Sequence, residues 1–164
     1  MKYGFVVPGY GEQFVGMGKD IYDNSRIMQE FFEQASQCLD KNFIKLCFAS
    51  SDTELAQLEN AYIALFLISF SLGSLLQQRG INPQLVGGRD IGEYGALSLA
   101  GGLSLPDAVY LLRKYAQQYQ NVLDKYSFEA VRVKGCDDEL LTVLLKQCES
   151  DTGELFVSVR ELQD

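Results

Sequence analysis

The stretch Gln84-Leu85-Val86-Gly87-Gly88-Arg89-Asp90-Ile91-Gly92-Glu93-Tyr94 decides the fold. An apolar run follows Asn82-Pro83 and breaks into glycine, so Gln84–Gly88 reads as a short buried strand. Apolar residues return at helical spacing from Ile91 to Ala100, which makes Gly88–Gly92 a tight turn between strand and helix. Such a turn forces strained backbone on its central residue, here Asp90. Glycines two before and two after remove the side chains that would clash, and Gly88 and Gly92 hold those places. This is the geometry of a nucleophile elbow. The N-terminus of the following helix aims backbone N–H groups at the turn, where they can hold an anion.

Upstream, Tyr3–Val7 reads as another short buried strand that leaves at Pro8-Gly9 into PGYGEQFVGMG, a loop with four glycines in eleven residues. Arg26–Leu39 carries Ile27, Phe31, Phe32, Ala35 and Leu39 at the spacing of an amphipathic helix. Asn42–Phe48 and Ser51–Leu58 are expected to be short helical segments, the second capped by Ser51 or Asp52. Ala61–Arg79 is apolar nearly all round and closes at Gly80, so it belongs in the centre of a layered domain. Its apolar run, Ala61–Leu76, is shorter than the ~20 residues of a spanning helix, and no membrane role is expected. Ser104-Leu105-Pro106-Asp107 opens a helix that runs to about Tyr126. The alternating Phe128–Lys134, the helical Asp137–Cys148 and the alternating Gly153–Arg160 form a β-α-β unit, half of a ferredoxin-like motif. The expected organisation is an α/β domain over residues 1–126 and the β-α-β unit over 127–164.

Composition bounds the chemistry. There is no histidine, which excludes Ser-His-Asp and Cys-His nucleophilic systems, histidine zinc sites and histidine bases unless another chain supplies the imidazole. Fourteen basic against twenty-two acidic residues give a net charge of −8, so no nucleic-acid or anionic-membrane partner is expected. The basic run of Lys125, Arg132 and Lys134 reads as a solvated strand face. Cys38, Cys47, Cys136 and Cys148 match no C-x-x-C motif; they are expected to be reduced thiols, with no metal site and no cofactor. The N-terminus MKYGFVVPGYG does not read as a signal peptide, and a soluble cytoplasmic protein is expected.

The order of these motifs resembles the N-terminal part of the malonyl-CoA:acyl-carrier-protein transacylases and the acyltransferase domains of fatty-acid and polyketide synthases. The first family motif, F-P-G-Q-G-S-Q-x-x-G-M-G, is similar to Val7-Pro8-Gly9-Tyr10-Gly11-Glu12-Gln13 followed by Gly16-Met17-Gly18. The second, G-H-S-x-G-E-Y, is similar to Gly88-Arg89-Asp90-Ile91-Gly92-Glu93-Tyr94. The resemblance implies an incomplete acyltransferase-type, α/β-hydrolase-like layer with a partial ferredoxin-like subdomain. It also implies a pocket around Asp90 built from Gly9, Tyr10, Gly11, Gln13, Arg89, Ile91, Tyr115 and Gln120.

The departures fall on the chemical positions. Asp90 stands where the family has its nucleophilic serine, and Arg89 where it has the neighbouring histidine. In D-A-x-x-L-x-x-x-R-G-x-x-M-Q, Tyr115 takes the place of the malonyl-binding arginine and Tyr119 that of the methionine, while Gln120 matches. Tyr62-Ile63 replaces a Gln-Pro pair, and Tyr10 replaces the glutamine whose backbone contributes to the oxyanion hole. Carboxylate attack on a thioester would give a mixed anhydride, an uphill step, and a helix N-terminus or Arg89 stabilises the carboxylate further. Glu12 and Glu93 are the bases available to a catalytic Asp90. Otherwise Arg89-Asp90 is an ion pair or a helix-capping carboxylate, or part of a surviving anion or pantetheine pocket. The tyrosines either fill space and occlude the acyl channel or recognise a new ligand.

The resemblance places the family's catalytic histidine beyond the stretch matched by this chain, and it leaves both layers open at strand edges, which are association sites. A homodimer or hetero-complex is therefore expected, with an acyl carrier protein, a ketosynthase or a full-length acyltransferase as partner. The expected function is a catalytically degenerate transacylase-like binding or scaffold module. The alternative is an acyltransferase or thioesterase whose missing half comes from a partner chain; a remnant without activity is the third reading.

Overall fold

A computed structural model describes residues 2–126 and 135–152. The chain divides into two units, Met1–Ser127 and Phe128–Asp164. In the first, β1 (Gly4–Val7) is followed by α1 (Lys19–Asn24), α2 (Arg26–Leu39), α3 (Phe43–Ala49), α4 (Asp52–Leu55), α5 (Leu58–Gln78), β2 (Leu85–Gly88), α6 (Gly92–Leu99) and α7 (Leu105–Lys125). In the second, α8 (Asp138–Thr152) follows Asp137, whose carboxylate accepts the Leu140 N–H at 2.8 Å. It runs past Cys148, where the sequence pattern ended it. The expected strands Phe128–Lys134 and Gly153–Arg160, and with them the half ferredoxin-like motif, lie outside the described residues, as do Arg132 and Lys134.

The two strands pair in parallel, Gly4 with Leu85 through Val7 with Gly88. Parallel pairing needs a long crossover, and five helices supply it. Both strands were expected to be buried, and this is corrected: they alternate. Phe5, Val7 and Val86 pack with Ala96 and Leu99 of α6, whereas Val6 is 86% and Leu85 74% exposed. Among the described residues the sheet has two strands, and α6 covers one face of it, so period-two alternation decides burial.

The main core lies among the helices. Met28, Phe32, Ala35 and Leu39 line one face of α2 and meet α5 and α7. Of the expected stripe, Phe32, Ala35 and Leu39 are buried, whereas Ile27 and Phe31 are half-buried and Met28 joins the core instead. The caps follow side-chain chemistry. Ser25, Asn42, Ser51 and Ser104 each accept an N–H from three residues on, at Met28, Lys45, Glu54 and Asp107. At the end of α5, Gly80 (φ 81°) donates to Gln77 and Ile81 donates to Leu76, a Schellman closure. At 21 residues α5 exceeds its expected length and is long and apolar enough to span a membrane by composition. Its run Asn60–Ile68 is instead buried within the core. Asn60 is tied there by hydrogen bonds with Lys41, Glu54 and Gln57.

Of the cysteines, Cys38 is exposed and Cys47 is part of the core. Burial pushes the Cys47 thiol up to about 12 from its ordinary 9.0. The unfolded chain thus releases this proton from about pH 9 while the folded chain holds it. The contribution is present below that pH and is lost as pH rises towards 12, with a slope of about 1.4 kcal/mol per pH unit. The stability difference between the native chain and Cys47→Ala, from urea unfolding, should shift against the native chain by roughly 2 kcal/mol between pH 9 and 10.5. A difference that stays constant with pH would contradict this.

Candidate functional site

The turn after β2 has the strain its sequence requires. Asp90 has φ 53°, in the left-handed region that non-glycine residues seldom adopt. A Cβ on Gly88 would lie 2.2 Å from the Gly92 carbonyl carbon, and one on Gly92 would lie 2.5 Å from the carbonyl oxygens of Val7 and Pro8. Both glycines are therefore compulsory, and α6 starts against the end of β1. Gly9 brings the first loop equally close: a Cβ there would meet the Arg89 oxygen at 2.6 Å and the Asp90 Cβ at 3.0 Å. This approach lets the Tyr10 N–H donate to Asp90 Oδ2 at 3.3 Å.

The Asp90 carboxylate thus faces the amide of the first loop. It does not cap α6 in the usual way: Ile91 is the N-cap residue and no side chain caps that end. The capping expectation is corrected, because the positive φ at Asp90 turns its side chain away from its own helix.

Tyrosines surround the acid. The Tyr10 hydroxyl donates to the Ala56 carbonyl at 3.0 Å, and its ring meets Tyr62 edge-on at 5.8 Å. Tyr115 packs on Tyr62 at 5.7 Å and on Tyr94 and Tyr119 at 6.4 Å each. Burial first, and then the charge of Asp90, raise the phenols of Tyr62 and Tyr115, so both stay protonated at neutral pH. Asp90, Glu93, Tyr94 and Tyr115 line an open cleft of about 390 Å³.

The expected pocket residues divide. Gly9, Tyr10, Asp90 and Tyr115 come together. Gly11 (φ 106°) and Gln13 shape the loop itself, the Gln13 side chain accepting the Gly11 N–H at 2.9 Å. Ile91 sends its side chain into the main core and offers the site only its backbone. Arg89 continues the β pairing, its N–H donating to Val7 at 3.0 Å, and it is not among the cleft's lining residues. Gln120 is corrected: it is exposed on α7, donates to Asp124 one turn on at 2.9 Å, and does not line the cleft. Glu93, considered in the sequence only as a base, and Tyr94, not singled out, both line it. Their spacing of three and four from Asp90 was the available signal. Among the described residues, no group of three or more Cys, Asp or Glu could hold a metal ion.

The family model for the acyl transferase domain matches residues 4–138. The chain belongs to this family. The malonyl CoA-acyl carrier protein transacylase of Bacillus subtilis is 34% identical over 140 residues, 85% of this chain and 44% of that protein. The solved MCAT from Streptococcus pneumoniae is 34% identical with a TM-score of 0.69, over 72% of this chain and 38% of that one. A malonyl-transacylase solved in complex with a type II PKS acyl-carrier protein has a TM-score of 0.82 over 94% of this chain and 50% of its own. At 24% identity it supports the fold alone. The resemblance to acyltransferases is thus shown, and the chain is the family's N-terminal part: it spans about half the length of the curated relatives it matches. The α/β class is shown too, here as a mostly helical unit with a small parallel sheet.

Proposed function

We propose that this chain is a binding module on the transacylase scaffold, in which the elbow no longer transfers acyl groups. One observation carries the reading: Asp90, at the elbow position, turns its carboxylate onto the Tyr10 amide. In the family pattern that amide serves the oxyanion of the reacting thioester. Here a tethered anion is already its partner, and an incoming oxyanion would have to displace it. No histidine stands in the chain to activate a nucleophile or water, and Tyr115 holds the place of the arginine that binds malonate. No cofactor is part of the reading.

The partner is an acyl carrier protein, in keeping with the names of the relatives, or else a ketosynthase or a full-length acyltransferase. Association as a homodimer or hetero-complex is supported by exposed Val6 and Leu85, and by an apolar groove of about 450 Å³ lined in part by Val86, Ala96, Leu97 and Ala100. The same reading takes residues 1–126 as an incomplete acyltransferase layer, 127–164 as half of a ferredoxin-like subdomain, and the cytoplasm as the setting.

Incubation of the purified chain with radiolabelled malonyl-CoA should leave no persistent label. Immobilised chain should retain an acyl carrier protein, and sedimentation should show a dimer or complex. Label that disappears in Asp90→Asn would overturn the silent-elbow reading. A monomer that retains none of the three partners would leave only the inactive remnant.

A further inference from the structure

We propose that the cleft at Asp90 binds an organic ammonium group. The inference deepens the reading of this site as one that binds without transferring, and rests on it. The cleft's lining gives the ligand's sign. Two of the four lining residues are the carboxylates Asp90 and Glu93, three positions apart, and the other two are Tyr94 and Tyr115. A malonyl carboxylate would meet two like charges there. An anion would also find the Tyr10 amide engaged by Asp90.

The aromatic wall is a separate observation, and it gives the kind of cation. Tyr115 stacks near-parallel on Tyr94 at 26° and lies tilted by about 30° against Tyr62 and Tyr119. Neutral aromatic faces carry negative charge density and attract cations, alkylated ammonium groups above all. Burial and the charge of Asp90 both keep the Tyr62 and Tyr115 phenols neutral. A hard metal ion wants six or more oxygen ligands, and among the described residues no cluster of three carboxylates or thiols exists to supply them. An alkylammonium uses both halves of the site, its charge on the carboxylates and its methyl or methylene groups on the rings. At about 390 Å³ the cleft is of ligand-site size.

The test is calorimetric titration of the purified chain with choline and with dimethylbutanol, its uncharged carbon isostere. Choline should bind in the millimolar range or tighter, and the isostere roughly tenfold more weakly or not at all. Asp90→Asn should weaken choline binding roughly tenfold; asparagine tolerates the positive φ of the elbow, so the fold is retained. Tyr115→Leu should weaken it similarly, whereas Tyr115→Phe, which keeps the ring, should not. Absence of choline binding, equal binding of the isostere, or unchanged affinity in Asp90→Asn would each overturn the proposal. Malonyl labelling of Asp90 would instead strike the functional reading and leave the choline isotherm to decide this one.

Discussion

Gly88→Ala is expected to destabilise the chain by about 3 kcal/mol or more, and Gly87→Ala, one residue earlier in the same strand, by less than about 0.5 kcal/mol. The new methyl at position 88 would sit 2.2 Å from the Gly92 carbonyl carbon and 2.3 Å from the Glu93 nitrogen and Gly92 oxygen. All three are backbone atoms, so no rotamer change relieves the overlap. Opening the turn instead would pull Gly92 off Val7 and Pro8, against which it is packed too closely for any side chain. At Gly87 a methyl meets nothing within 4 Å. Urea unfolding of both variants, read as a midpoint shift at constant slope, makes the comparison. Equal costs would mean that the elbow yields, and that the strain at Asp90 is not enforced by its glycines.

The elbow was legible in the sequence because its constraint is local: five residues fix the turn, and the two glycines reveal it. The helix Arg26–Leu39 was legible in its bounds and in its buried Phe32, Ala35 and Leu39, while the helix turns slightly further than the stripe suggested, burying Met28 and leaving Ile27 and Phe31 half-buried. The helix after Ser104 was legible from its cap. Other features depend on what lies across the chain. Lys19–Asn24 buries no residue and has no apolar stripe, so nothing in its pattern marks it as a helix. A Lys19–Asp23 pair at 2.8 Å spans its turn. The half-exposed strands depend on which faces are covered, and four-residue runs do not record that. The Asp90 contact joins residues 80 positions apart, and only the loop's close approach through Gly9 creates it. Aligning motifs placed Gln120 in the pocket, yet the side chain found a nearer partner on its own helix.

Phe32→Ala is expected to cost about 3–5 kcal/mol, a large part of the roughly 5–15 kcal/mol that holds a domain together. Phe32 is fully buried in the helical core, edge-on to Tyr22 at 5.3 Å and stacked on Phe48 at 5.6 Å. Truncation removes both ring contacts and leaves a cavity among α1, α2 and α3, where neighbours fixed in helices collapse only in part. The location of the loss distinguishes this variant from Gly88→Ala. Phe32 belongs to the large cluster that joins the helices, while the sheet is held by a small cluster of Val7, Ala96 and Leu99 with Phe5, Phe70 and Val86 around it. Hydrogen exchange should therefore show protection falling across α2, α5 and α7 in Phe32→Ala, and chiefly in β1, β2 and α6 in Gly88→Ala. Because α6 also sends Tyr94 into the large cluster, and the neighbouring Ile91 does the same, losing the helices should release the sheet, but losing the sheet should spare the helices. Protection falling uniformly in both variants would show that the two clusters open as one.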